Sequence, residues 1–250
     1  MSKETWEYFG KNDPYFAVAT FDQFRSENLT DQGKSEFFHT GEAQVARVFD
    51  EIESTLDPGF KPKRALDFGC GVGRIVLPLA SKAEHVTGVD ISEAMLAEAA
   101  RNCESRNLDN VALLQTSDFL SATGLEFDLI HSAIVFQHIE PSHGMRIVKA
   151  LVERLRVGGI GVLHFTYSVE IGRLQGLQVD AYKRFPLLYD LKNRLKGQRR
   201  EPLMPIYVYN LNEVMSVLQA NDCHNCLVRF SHHGHEGVVL FFQKGRLPLF

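Results

Sequence analysis

The sequence predicts an α/β protein: a mostly parallel seven-stranded sheet with helices on both faces, closed by a C-terminal antiparallel hairpin and accompanied by helical lid segments. Three observations carry this. From Arg64 to Thr166, short apolar runs alternate with amphipathic helical patterns, as βαβ units of a parallel sheet do. Two later strand-like runs are separated only by the turn-forming stretch Ser231–Gly237, too short for a parallel crossover, so they pair antiparallel. A glycine-rich turn, Gly69-Cys70-Gly71-Val72-Gly73, stands where the first strand hands over to a helix.

In chain order, an aromatic leader comes first, with Tyr8, Phe9, Tyr15, Phe16, Phe21, Phe24, Phe37 and Phe38. Such a leader must bury itself against the rest. Residues 41–56 then place Val45, Val48, Phe49, Ile52 and Leu56 at three- and four-residue spacing, one buried helical stripe that Asp57-Pro58-Gly59 terminates. Strands are expected at Arg64–Phe68, His85–Val89, Val111–Gln115, Phe127–Ser132 and Ile160–Thr166, with helices over 73–82, 92–106 and 142–156. A final helix at Leu211–Ala220 precedes the hairpin strands Cys226–Phe230 and Val238–Gln243. This divides the chain into a helical leader (1–60), the core (61–168), an insertion over one edge of the sheet (169–210), and the last helix with the hairpin (211–250).

Composition excludes several classes. No apolar run reaches the roughly 18 residues that cross a bilayer, and Met1–Trp6 lacks a signal peptide's apolar core. The four cysteines, Cys70, Cys103, Cys223 and Cys226, are too few and too unevenly placed for a disulfide scaffold, so a reducing cytoplasm is expected. The net charge of −4 argues against gripping nucleic acid, which wants a broad basic surface. One local exception runs from Lys183 to Arg200, where seven bases stand against Asp190 alone. It reads as a solvated helix face or as a contact for an anionic substrate.

Chemistry concentrates at the strand ends. Glycines after Asp67 let backbone approach a ligand, and the following helix offers free amides and a positive dipole end. A dinucleotide fingerprint reads G-x-G-x-x-G, but here Arg74 takes the third glycine's place and an acid precedes the loop. That departure disfavours a nicotinamide oxidoreductase and favours a ligand with positive charge, such as a sulfonium with its amino-acid tail. Asp90 ends the second strand about twenty residues on, placed to accept from both ribose hydroxyls. Ser92 is the expected N-cap, and Ile91 and Met95 are expected to flank an adenine ring. Asp118 and Phe119 end the third strand with a carboxylate and an aromatic. Ser132 to His138, Gln137 among them, follow the fourth strand and should border both cofactor and acceptor.

The runs Ala65–Arg74, Gly88–Leu96, Phe127–Ile130 and Leu155–Gly159 resemble the successive motifs of class I, Rossmann-like S-adenosylmethionine-dependent methyltransferases, most of all the small-molecule type with N-terminal lid helices. The likeness covers residues 64–168 well and the hairpin moderately. It implies a cofactor, S-adenosylmethionine, whose methionine amino group Asp67 reaches and whose methionyl part Gly69, Cys70 and Gly71 back. It implies that Asp90 holds the ribose, Asp118 the adenine amine, and Phe119 the ring.

Methyl transfer to a sulfonium's acceptor needs positioning above all, and a base only for a hydroxyl or protonated amine. His138, just past the fourth strand, is the candidate base, whereas His131 and His164 lie inside strands and read as packed groups. Cys223, Cys226, His232, His233 and His235 have zinc-ligand chemistry, but a strand about 16 Å long separates the cysteines from the histidines, so no metal is expected. If the penultimate strand runs parallel to the core strands, His232, His233 and His235 rim the acceptor's mouth. Tyr15 from the leader, with Tyr182 and Tyr207 from the insertion, completes the expected acceptor pocket, suited to an anionic or partly apolar small molecule. The fourth strand ends Ser132-Ala133-Ile134-Val135, lacking the Asn/Asp-Pro-Pro-aromatic motif of amino-methylating DNA enzymes. RNA or protein methylation and a non-catalytic cofactor-binding protein stand as the alternatives.

Overall fold

The computed structural model describes residues 3–169, 181–182, 184–195 and 199–245. Its sheet has seven strands: β1 (Arg64–Phe68), β2 (His85–Asp90), β3 (Val111–Gln115), β4 (Phe127–Ser132), β5 (Leu155–Ser168), β6 (Cys223–His232) and β7 (Glu236–Lys244). They lie in the order β3-β2-β1-β4-β5-β7-β6. β1 to β5 pair in parallel, β7 runs antiparallel between β5 and β6, and the expected architecture is what forms. Because β7 is antiparallel to both neighbours, β6 runs with the core strands, and the 233–235 turn falls at the carboxyl edge. There, chain reversal between β1 and β4 opens the crevice that ligands of such sheets occupy.

Helices α1 (Lys3–Asn12), α2 (Pro14–Val18), α3 (Asp31–Thr55), α4 (Val76–Leu79), α5 (Glu93–Glu104), α6 (Thr116–Ser121), α7 (Pro141–Glu153), α8 (Pro186–Leu195) and α9 (Leu211–Ala220) surround it. Strand alternation sets the two cores. Ala65, Leu129, Ile160, Val162 and Phe241 point to the face covered by α3, where Val45, Val48, Phe49 and Ile52 form the stripe read from the sequence. Leu66, Ile130, Leu163 and Phe165 point the other way, against Ile147 and Leu151 of α7 and Val214 and Leu218 of α9.

Two elements differ from the sequence reading for local reasons. The helix expected over 73–82 is the single turn Val76–Leu79, because Gly73 sits at φ +88° and delays the start. α3 begins at Asp31, ten residues early, with the Thr30 hydroxyl accepting from the Gly33 amide as its cap. The aromatic leader is ordered and buried as expected. Phe9, Phe24, Phe37 and Phe38 join the α3-side core, and Tyr15, Phe24, Phe37 and Phe38 meet edge to face.

Candidate functional site

The carboxyl edge gathers Asp67, the glycine turn, Asp90 and the β4 end. Gly69 and Gly71 have φ of +77° and +52°, which a side chain resists. Asp90, at the end of β2, accepts from the Gly71 amide at 2.9 Å with Oδ2 and from the Ser92 amide at 2.9 Å with Oδ1. Burial pushes its carboxyl pKa up, while the Ser92, Gly71 and Ile91 amides oppose that rise. Ser92 caps α5 by accepting from Met95 N, as the sequence indicated. The crevice therefore has an acid on each side of a bare backbone turn, beside the amino end of α5.

Asp67 is not isolated. Its Oδ1 receives the Nδ1–H of His131, 2.8 Å away on the neighbouring strand. His131 Nε2 accepts in turn from the Gln44 amide at 3.4 Å, and Gln44 Oε1 accepts from Arg74 at 2.8 Å. Arg74, Gln44, His131 and Asp67 thus form a directed chain of donors from the glycine turn through α3 and β4 back to the acid. α3 reaches this close because residue 41 is glycine, packed against the Arg74 backbone with no room for a Cβ. Sequence spacing did not join these groups, since Asp67 and His131 become neighbours only through the β1–β4 register.

The remaining expected cofactor residues differ in their exposure. Ile91 is exposed at the β2 end and Asp118 is exposed on α6. Phe119 is fully buried against Phe68 and Phe127, with Arg154 over its ring, so it supports the sheet from below and does not face the crevice. Met95 is buried in the α3-side core, and the Cys70 thiol points into the space beside Gly88. Ser132 is buried and donates to Phe68 O at 2.9 Å, tying β4 to β1.

Gln137 and His138 belong to a second directed chain. Thr166 Oγ1 donates to Gln137 Oε1 at 2.9 Å, Gln137 Nε2 donates to His138 Nε2 at 3.2 Å, and His138 Nδ1 donates to Pro205 O at 3.1 Å. Both ring nitrogens of His138 are engaged, and the Trp6 ring of α1 stands edge-on to it at 5.3 Å. Burial lowers the His138 pKa to about 4. Ile134, immediately upstream, has φ +61°, costly for a β-branched residue. The glycine cradle is roofed. Val135 lies over Gly69, and a Cβ at Gly71 would fall 2.6 Å from Val18 Cγ2 at the end of α2.

The leader locks over this edge. Glu7 of α1 accepts from Ser92 Oγ at 2.8 Å and from Ala94 N at 3.2 Å, and Gly10 leaves a Cβ only 2.8 Å from Ser92 Oγ. Tyr15 is buried and donates to Glu98 at 2.5 Å, anchoring α2 to α5 instead of lining a pocket. The end of the insertion is pinned to the same leader: Arg25 pairs with Glu201 at 2.6 Å, Arg199 with Asp13 at 3.5 Å, and Tyr8 donates to Arg200 O at 2.9 Å. Arg199 also pairs with Glu27, and Arg200 with Asp190 at 3.8 Å, so this end of the basic run is charge-neutralised internally. Lys183 and Lys196 lie outside the described residues. Tyr182 packs against Tyr189 with Lys192 over both rings. Tyr207 N donates to Gln137 O at 2.7 Å, which sets the Tyr207 backbone beside the crevice. His232 and His233 are exposed at the carboxyl edge, while Cys223 is buried at the opposite end of β6.

With this geometry in place, residues 65–159 match the methyltransferase domain family. The segment from β1 to the start of β5 is thus similar to a methyltransferase domain. Among curated proteins, the chain is 28% identical over 162 residues to the ubiquinone biosynthesis O-methyltransferase of Roseobacter denitrificans, covering 65% of this chain and 58% of that one. It is 37% identical over 79 residues to the 23S rRNA (uracil(1939)-C(5))-methyltransferase of Methylococcus capsulatus, or 32% of this chain and 18% of that one. The chain therefore spans less than two thirds of either relative. In three dimensions it superposes on the magnesium protoporphyrin IX methyltransferase of Synechocystis PCC 6803 with a TM-score of 0.58 and 18% identity, covering 93% of this chain and 98% of that one. Among the described residues, no helix is long and apolar enough to cross a membrane.

Proposed function

We propose that this chain transfers the methyl group of S-adenosylmethionine to an oxygen or nitrogen atom of a small molecule. The observation that carries the reading is the pair of buried or half-buried acids, Asp67 and Asp90, set on either side of the bare turn at Gly69 and Gly71, at the switch point between β1 and β4. Such a donor set suits a ligand with an ammonium group at one end and ribose hydroxyls at the other, and it repels a pyrophosphate. Supporting relatives include enzymes named for ubiquinone biosynthesis and magnesium protoporphyrin IX.

When bound, the cofactor supplies an already activated methyl on a sulfonium. The chain's own residues do the remaining work. Asp67, held by His131, takes the amino-acid tail, and Asp90 takes the ribose while keeping Gly71 and Ser92 in register. Asp118 and Ile91 border the adenine. Val18, Val135 and Trp6 form the lid, which must lift from the glycines to admit ligand and then excludes water. His138 closes the edge of the acceptor site; with its Nε2 lone pair engaged by Gln137, its part is to position, and proton removal would first require Gln137 to yield. Tyr207, His232 and His233 stand on the acceptor side.

The test is incubation with methyl-labelled cofactor and a fractionated metabolite extract. Label transferred to a small-molecule fraction supports the reading; label found only in RNA or protein fractions, or nowhere, refutes it.

A further inference from the structure

Two buried polar atoms among the described residues have no hydrogen-bond partner: Arg74 Nε and His164 Nδ1. Both belong to the same side of the sheet. On β5, His164 stands two residues beyond Val162, which pairs with His131, so Asp67, His131 and His164 share the α3 face at its carboxyl edge. The His164 ring is 3% exposed, and its Nε2 is fixed at 2.8 Å from Ser231 Oγ. The glycine at position 237 makes that pairing possible, since a Cβ there would lie 2.7 Å from His164 Nε2. In the tautomer in which the Ser231 hydroxyl donates to Nε2, Nδ1 carries the proton and is a free donor.

Above His164 stands the exposed ring of His233, 5.5 Å away and edge-on. Charge converges here. Arg74 donates to Gln44 Oε1 at 2.8 Å, Arg47 stands three residues beyond Gln44 on α3, and the Arg74 charge acts on His233 while itself feeling Asp67 first and Arg47 second. Arg47 has no ion-pair partner among the described residues. The nearby carboxylates are already engaged, Asp67 by His131 and Glu236 by the Tyr167 hydroxyl at 3.0 Å. Two guanidinium groups and two imidazoles thus stand next to the cofactor cradle, with Asp67 held by His131 and Glu51, four residues beyond Arg47 on α3, paired with Arg229. Such a set recognises a planar or tetrahedral oxyanion.

We infer that Arg47, Arg74, His164 and His233 form a binding site for an oxyanion group, carboxylate or phosphate, carried by the methyl acceptor. The inference rests on the methyltransferase reading for the word acceptor, but the site itself does not. It places the anion contact on α3 and the β6–β7 turn, away from the basic run of 183–200, whose described end is neutralised by the leader.

The experiment uses the full chain with isotope-labelled histidine. Inorganic phosphate and benzoate are titrated separately while the His164 and His233 ring resonances are followed. Saturable shifts of both rings with at least one probe are expected, with affinity reduced tenfold or more in Arg47→Glu, which alters only the exposed side of α3, and in His233→Ala. The stronger probe tells whether the acceptor bears a phosphate or a carboxylate. Linear, non-saturating shifts with both probes, or unchanged affinity in Arg47→Glu and His233→Ala, overturn the proposal. No cofactor enters this titration, so a negative result here leaves the S-adenosylmethionine assignment standing, and failure to bind S-adenosylmethionine leaves this site untouched.

Discussion

Replacing Gly71 by alanine tests whether the leader seats on the glycine turn. At φ +52° an alanine costs about 1–2 kcal/mol in backbone strain alone. Its Cβ would also sit 2.6 Å from Val18 Cγ2. Carbon atoms in contact prefer about 3.5–4.0 Å, an overlap of roughly 1 Å that overpacking data put at about 1–3 kcal/mol. Gly71→Ala should therefore destabilise the protein by about 2–5 kcal/mol. In a Val18→Ala background the clash disappears and only the strain of about 1–2 kcal/mol persists. Urea unfolding of the four proteins of this cycle measures the coupling, expected at about 1–3 kcal/mol. If the two substitutions add to within about 0.5 kcal/mol, Val18 does not rest on the turn and the lid assignment fails.

Other outcomes follow from the same geometry. Asp90→Asn replaces one of the two carboxylate oxygens that accept the Gly71 and Ser92 amides, and on the proposed ribose role S-adenosylmethionine affinity should fall ten- to a hundredfold, since bonds to charged groups contribute about 1.5–3 kcal/mol; unchanged calorimetric affinity would reject that role. His131→Leu strands the Asp67 carboxylate, itself 3% exposed, without its donor and should cost about 3–5 kcal/mol by chemical denaturation; a loss under 1 kcal/mol would show the pair to be incidental. His138 and His164 both have pKa values lowered by burial to about 4, below the 6.5 of an unfolded histidine. Between these values the unfolded chain binds more protons, so stability is complete above about pH 6.5 and falls as pH drops toward 4, by on the order of a few kcal/mol. Urea midpoints at pH 7 and pH 4.5 should show this drop, and His138→Asn should shrink it.

The sheet was legible because its signals are local. Period-two burial, glycine at the β1 turn and the short hairpin connection each act within a few residues and point to seven strands, whereas the edge on which the 233–235 turn lies follows only from β7 running antiparallel to both β5 and β6. The placement of Asp67, Gly69, Gly71 and Asp90 at or just past strand ends was legible for the same reason. What spacing did not reveal depends on contacts across the chain. Phe119 follows a strand end but rotates into the core, because the turn of α6 directs it toward Phe127. Tyr15 was expected in a pocket and is consumed in anchoring α2 to Glu98 and Asn102. The chain from Arg74 through Gln44 and His131 spans α3, the turn and β4, and no single segment announces it. A signal did exist for His131: a histidine opposite an acid in adjacent parallel strands is a hydrogen-bonded pair once the register is known.

The central claim is tested most directly by isothermal titration of the full chain with S-adenosylmethionine, S-adenosylhomocysteine and NAD under one set of conditions. The two acids bracketing a bare turn predict saturable one-to-one binding of the first two and no measurable heat from NAD. Binding of NAD without binding of S-adenosylmethionine would contradict the account.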